Sequence, residues 1–182
     1  MPRLCDVIKN DHRKIEQAYR YTLISTTPED RAHWRDELAL ELARHCISEE
    51  QVLLPILRDR LADSEFRITK NCTDRHSLKE KICRLKVIHV TDPNLESELK
   101  ALWVDLAPHI HDTDHQDVAR LEECLSITES ENLAEQFRRT MFLAPTRSNP
   151  SPVRGPPSQL ITHFLSAKEN SIKDMNPILG TR

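Results

Sequence analysis

Apolar residues along the chain recur every three to four positions, the period of an α-helix with one buried face. Leu4, Ile8, His12, Ile15, Tyr19 and Leu23 form one such stripe and predict a first helix whose inner face includes His12. A second helix begins at Thr27-Pro28-Glu29-Asp30, a capping residue followed by a first-turn proline, and its stripe runs Leu38, Leu42, His45, Glu49, Val52, Ile56. A third is expected from about Asp74 to Val87 with Leu78, Ile82 and Leu85 inward. Asp92-Pro93 opens a fourth with the stripe Leu102, Leu106, His109, Thr113. Thr128-Glu129-Ser130-Glu131 reads as a capping box that opens a fifth, shorter helix ending near Leu143.

After Ala144 the chain turns to PTRSNPSPVRGPP, which cannot stay helical because proline lacks the backbone donor and its ring clashes with the preceding turn. The expected organisation is therefore a helical bundle over residues 1–143 and an extended Pro-rich tail over 144–182, in which Gln159 to Ala167 has the pattern of a short amphipathic helix. Glycine supports the all-α reading, since Gly155 and Gly180 are the only two in the chain and both fall in the tail. Sheet proteins usually need glycine in their turns.

The formal net charge of −3 is mixed in sign along the chain, and points to neither nucleic acid nor a membrane surface as partner. No stretch approaches the roughly 20 apolar residues of a membrane span. Cys5, Cys46, Cys72, Cys83 and Cys124 are odd in number and lack CxxC pairing, and MPRLCDVIKNDH lacks the apolar core of a signal peptide. Both features fit a reduced, intracellular, cytoplasmic setting.

The polar members of the stripes bring in the chemistry. A histidine and a glutamate four residues apart share one helix face, so His45 and Glu49 can grip the same cation from one rod, and rods offering His12 and His109 would close the site inside the bundle. The chain also repeats itself weakly: LARHC at 42–46 aligns with LAPHI at 106–110, and DHRKI at 11–15 with DRHSL at 74–78. Two facing helical hairpins, each giving half of a central site, would produce this order.

Blander readings apply to several of these residues. A lone His12 or His109 on an apolar stripe also reads as a hydrogen-bonded core histidine, and Glu16 as an auxiliary ligand, an outer partner of the ligands or a surface carboxylate. Helical phase puts His111 and His115 on the outer face in solvent. Cys46 and Cys83 read as small core residues, and Trp34 and Trp103 as packing anchors, Trp103 in phase with the site.

The stretches DVIKNDHRKIE, ELARHCISEEQVLLPIL, LWVDLAPHIHDTDHQDVARLEE and FLAPTRSNPSP followed by PP resemble hemerythrin-like, HHE cation-binding domain proteins, and more narrowly fungal members of that family. The resemblance implies an antiparallel up-down four-helix bundle that holds non-haem iron between its helices with histidines and bridging carboxylates. It implies ligand roles for His12, His45, Glu49 and His109. Two positions depart from the family pattern. Arg75 stands where the third helix should present a histidine, with His76 displaced one position, about 100° around the helix. Thr113 stands where a carboxylate is expected, with Asp114 at the edge of the inner face.

The expected site is therefore reduced and asymmetric, holding one iron ion rather than two, with Glu16, Arg75, His76 and Asp114 as secondary candidates. Such a site suits oxidation of a small molecule linked to O2. The alternatives are a metal-free bundle serving as an isomerase or cyclase in a biosynthetic pathway, and an iron or oxygen sensor or carrier without turnover.

Overall fold

The structure, a computed structural model, describes residues 1–61 and 77–144. Within them the chain is helical throughout its regular structure. Helix α1 spans Leu4–Ile24 and α2 spans Pro28–Ser48, continuing through a π-helical turn at Glu49–Leu53 into α3, Leu54–Arg60. Helix α4 is described over 77–87. Helix α5 spans Leu95–Asp112 and continues through a second π-helical turn, Thr113–Asp117, into α6, Val118–Cys124; α7 spans Ile127–Leu143. The dihedrals at both junctions stay right-handed helical, so α2–α3 and α5–α6 are each one rod. With α1 and α4 they form an antiparallel four-helix bundle, against which α7 packs along α1 and α2.

The helix starts follow from local chemistry. The Thr27 hydroxyl accepts from the Asp30 backbone N–H at 3.1 Å, and Pro28, which has no N–H to satisfy, occupies the first turn as expected. Helix α7 opens two residues earlier than the capping box read at Thr128. Ser126 is the cap, its hydroxyl accepting from Glu129 N while Glu129 accepts from Ser126 N. Both placements match the Ser/Thr-x-x-Glu spacing; Ser126 takes the role because Leu125 before it is buried and ends the preceding rod. The ends of α1 and α7 lie within a residue of those expected.

The π turns were not visible in the periodicity. Each widens one turn by a residue and rotates everything after it. After Glu49 the inward position moves from Ile56, which is half-buried, to Leu57, which is 3% exposed. Pro55 gives this turn a local cause, since it cannot donate to a carbonyl four residues back and the widened turn absorbs the break. No comparable local cause is present at Thr113–Asp117.

The core has two apolar parts. One is built from Ile15, Tyr19, Leu38, Leu42, Leu78, Ile82, Leu85, Leu99, Leu102 and Leu106. The other contains Leu4, Ile8, Leu53, Leu57, Val118, Leu121 and Phe137. Along α1, α2–α3 and α5–α6 the boundary between the two parts falls at the same height, and there stand His12, His45 with Glu49, and His109. Leu78, Ile82 and Leu85 are fully buried, as their spacing required. Cys46 is a core residue, but Cys83 is exposed, because it lies one position beyond Ile82 and the α4 stripe turns it to solvent. Trp34 and Trp103 are partly buried against the first core part, with Trp103 stacked on Tyr19 at 4.4 Å between ring centroids. Among the described residues no helix is long and apolar enough to cross a membrane. The expected tail beyond Ala144 lies outside the described residues.

Candidate metal centre

The polar layer between the two apolar cores gathers His12 from α1, His45 and Glu49 from the α2 rod and His109 from α5, with one ligand atom of each within 4.8 Å of all the others. All four side chains are buried, His45 completely. These are the residues singled out from spacing. Glu49 sits between two imidazoles, Oε1 lying 3.4 Å from His45 Nε2 and Oε2 lying 3.2 Å from His109 Nε2.

Two further carboxylates fix the rings from behind. Asp11 Oδ2 lies 2.7 Å from His45 Nδ1, and Asp114 Oδ1 lies 2.8 Å from His12 Nδ1. A carboxylate can only accept, so each Nδ1 carries the proton and each Nε2 is left to present a lone pair inward. Yet the two Nε2 atoms face each other at 3.1 Å. Two lone pairs cannot be stable at that distance without a cation between them, whether a proton or a metal ion, and 3.1 Å is the spacing of adjacent donors around one ion with bonds of ~2 Å. His109 makes the same point: both ring nitrogens are buried, Nδ1 has no partner, and Nε2 has the Glu49 carboxylate at 3.2 Å without the geometry of a hydrogen bond. Buried polar atoms rarely go unpaired. Three imidazoles and a carboxylate, with orphaned nitrogen and fixed tautomers, therefore fit a transition-metal ion.

The electrostatics without an ion agree. Burial alone would push Glu49 up, but the charges of His109 and His45 outweigh it and hold its carboxyl well below the usual range. Burial alone would push His45 down, but Glu49, with the hydrogen bond that His45 Nδ1 donates to Asp11, pushes it up to about 10. His12 is pushed down, by burial first and His45 second, against the pull of Asp114. Without a metal ion the surrounding carboxylates thus favour a proton on His45.

The secondary candidates separate. Asp114 is turned to the back of His12 and lies outside the gathered group, so the structure gives it an orienting place. Thr113 is buried and faces inward, one turn after His109, as its phase predicted. Glu16 is half-buried and outside the group. Arg75 and His76 lie outside the described residues. His111 is 67% exposed and His115 also faces solvent. Sequence reasoning missed the place of Asp11, whose adjacency to His12 was the available signal. It also missed Lys79, whose buried ammonium pairs with Glu50 beside the candidate ligand Glu49.

A four-helix bundle with histidines and a carboxylate gathered at mid-height has the construction of one that could hold a metal ion. The chain belongs to the hemerythrin HHE cation-binding domain family, whose match covers residues 3–121. It is similar to an uncharacterized hemerythrin-like protein of Schizosaccharomyces pombe, 29% identical over 176 residues, covering 96% of this chain and 87% of that one. A DNA nickase of Nostoc sp. strain PCC 7120 is 23% identical over 134 residues, which are 73% of this chain and 37% of the nickase. No solved structure matches the chain.

Proposed function

We propose that the protein binds one non-haem iron ion at His12, His45, Glu49 and His109 and uses it in the O2-linked oxidation of a small molecule. The observation that carries this reading is the donor set itself, three ring nitrogens and one carboxylate within 4.8 Å, with the remaining carboxylates turned to the backs of the rings. Iron prefers more donors than these residues supply, so positions stay open for O2 and substrate. When bound, iron supplies one-electron redox chemistry and a Lewis-acid centre.

The chain's own residues do the rest. Asp11 and Asp114 keep the Nδ1 protons on His45 and His12 and hold both rings in one orientation. Glu49 brings a negative charge that offsets that of the cation. The two apolar core parts close the layer from above and below and keep bulk water out, which strengthens each of these interactions. Phe137 contributes directly, its ring edge-on to His45 at 6.1 Å between centroids.

Elemental analysis of full-length protein purified without added metal tests the proposal. About one iron per chain is expected in the wild type, with loss in His45→Ala and Glu49→Ala while the helical circular-dichroism signal persists. Metal-free wild type would favour the isomerase or cyclase reading of the same polar cavity. Equal metal content in all three proteins would refute the ligand assignment.

A further inference from the structure

The outer face of the rod that carries His109 holds a second pair of histidines. His111 lies in the last turn of α5 and His115 in the π-helical turn Thr113–Asp117, so two imidazoles four residues apart project from one continuous rod. Both are exposed, and their ring centroids stand 4.9 Å apart with the planes tilted by 46°. That tilt is neither the stacked nor the edge-on arrangement that aromatic attraction favours. His109 and Thr113 are buried at the inner layer while His111 and His115 face solvent, so the outer pair is a separate place from the candidate metal centre.

The spacing suits one shared ion. With metal–nitrogen bonds of about 2.0–2.1 Å and ring nitrogens about 1.1 Å from their ring centres, two imidazoles on one ion hold their centroids about 4.5 Å apart at a right angle and about 5.2 Å apart at the tetrahedral angle. The observed 4.9 Å falls between these limits. Asp112 orients one of the rings: its Oδ1 accepts from Gln116 Nε2 at 3.0 Å and stands 3.5 Å from His111 Nδ1. A carboxylate beside Nδ1 favours the proton there, which leaves the Nε2 lone pair of His111 for a cation. The same carboxylate sets a negative charge next to an incoming ion. Imidazole nitrogen selects transition ions such as zinc, copper and nickel over magnesium and calcium, which take oxygen.

We propose that His111 and His115 form a surface site for one divalent transition-metal ion, the two imidazoles chelating it and water completing its shell. None of its donors belongs to the inner layer. The site therefore does not depend on the iron proposed above, and wild type purified without iron would defeat that proposal and leave this one standing.

The test uses the full-length chain as purified, dialysed against rising zinc chloride, with bound zinc per chain counted by elemental analysis. The wild type should take up one zinc that His111→Ala and His115→Ala do not hold at the same concentration. Each variant keeps only one of two donors linked on the rod, so its half-saturating zinc should rise at least about tenfold. Zinc that enters the inner layer adds equally to every protein and cancels in the difference. Both substitutions are at exposed positions, so the helical circular-dichroism signal should persist. His33→Ala and His89→Ala, which remove exposed histidines elsewhere, should leave the count unchanged, and excess magnesium chloride should not displace the zinc. Equal zinc uptake by the wild type and both variants, a loss in only one of the two, or an equal loss in His33→Ala or His89→Ala would overturn the proposal.

Discussion

The two carboxylates behind the histidines offer a graded test of how the metal layer is built. Asp11→Asn and Asp114→Asn each leave an amide oxygen that can still accept from Nδ1, so tautomer and ring orientation survive while the negative charge is lost. Removing such outer partners typically weakens metal affinity by 10–100-fold. Burial decides where each variant falls in that range, because a charge counts for more where water screens it less. The Asp11 side chain is 3% exposed and that of Asp114 is 16% exposed. Asp11→Asn should therefore lie near the upper end, about 100-fold or ~2.7 kcal/mol, and Asp114→Asn near the lower, about 10-fold or ~1.4 kcal/mol. Competition against a chelator of known iron affinity measures both, on proteins shown by circular dichroism to be folded. A larger loss in Asp114→Asn, or no loss in either, would refute the idea that these carboxylates tune the ligands.

Phe137 is fully buried beside His45, and Phe137→Ala should cost about 3–5 kcal/mol in chemical denaturation; a cost below 1 kcal/mol would mean that α7 does not seal the layer. The Ser126–Glu129 box should be worth about 1 kcal/mol, read as the stability loss in Ser126→Ala. Glu129 is held down at about 2 by the Ser126 backbone N–H first, then the Ser126 hydroxyl and Arg60. Its folded value lies below the usual carboxylate value of ~4.3, so its contribution is complete above that pH and fades as pH falls through about 2. Glu129→Gln should flatten that part of the stability–pH curve, and an unchanged curve would contradict the assignment. Thr113 faces the layer one turn after His109. Thr113→Glu combined with Arg75→His should raise iron content from about one toward two per chain, more than either change alone, and a wild type already carrying two bridged irons would sink the one-ion reading.

Much of this architecture is written locally. The three-to-four spacing around His12, His45 and His109 and the cap at Thr27 each depend on residues within one or two helical turns. Periodicity was therefore enough to place four ligand candidates on inward faces, because a stripe that must face a core carries its polar members there too. The repeat of LARHC in LAPHI added that the two halves meet across the bundle.

What only tertiary structure decided lies beyond that range. The π turns at Glu49–Leu53 and Thr113–Asp117 shift the phase downstream, which exchanged Ile56 for Leu57 in the core. Asp114 faces the back of His12 and Asp11 the back of His45 because partners 102 and 34 residues away stand opposite them, and no local rule specifies those meetings. The sequence determined which side chains turn inward; the packing of rods determined which of them touch metal-ready nitrogen and which stand behind it. The physical reason is that a helix's period fixes direction around its own axis, whereas hydrogen-bond partners across a bundle depend on the height and rotation of separate rods.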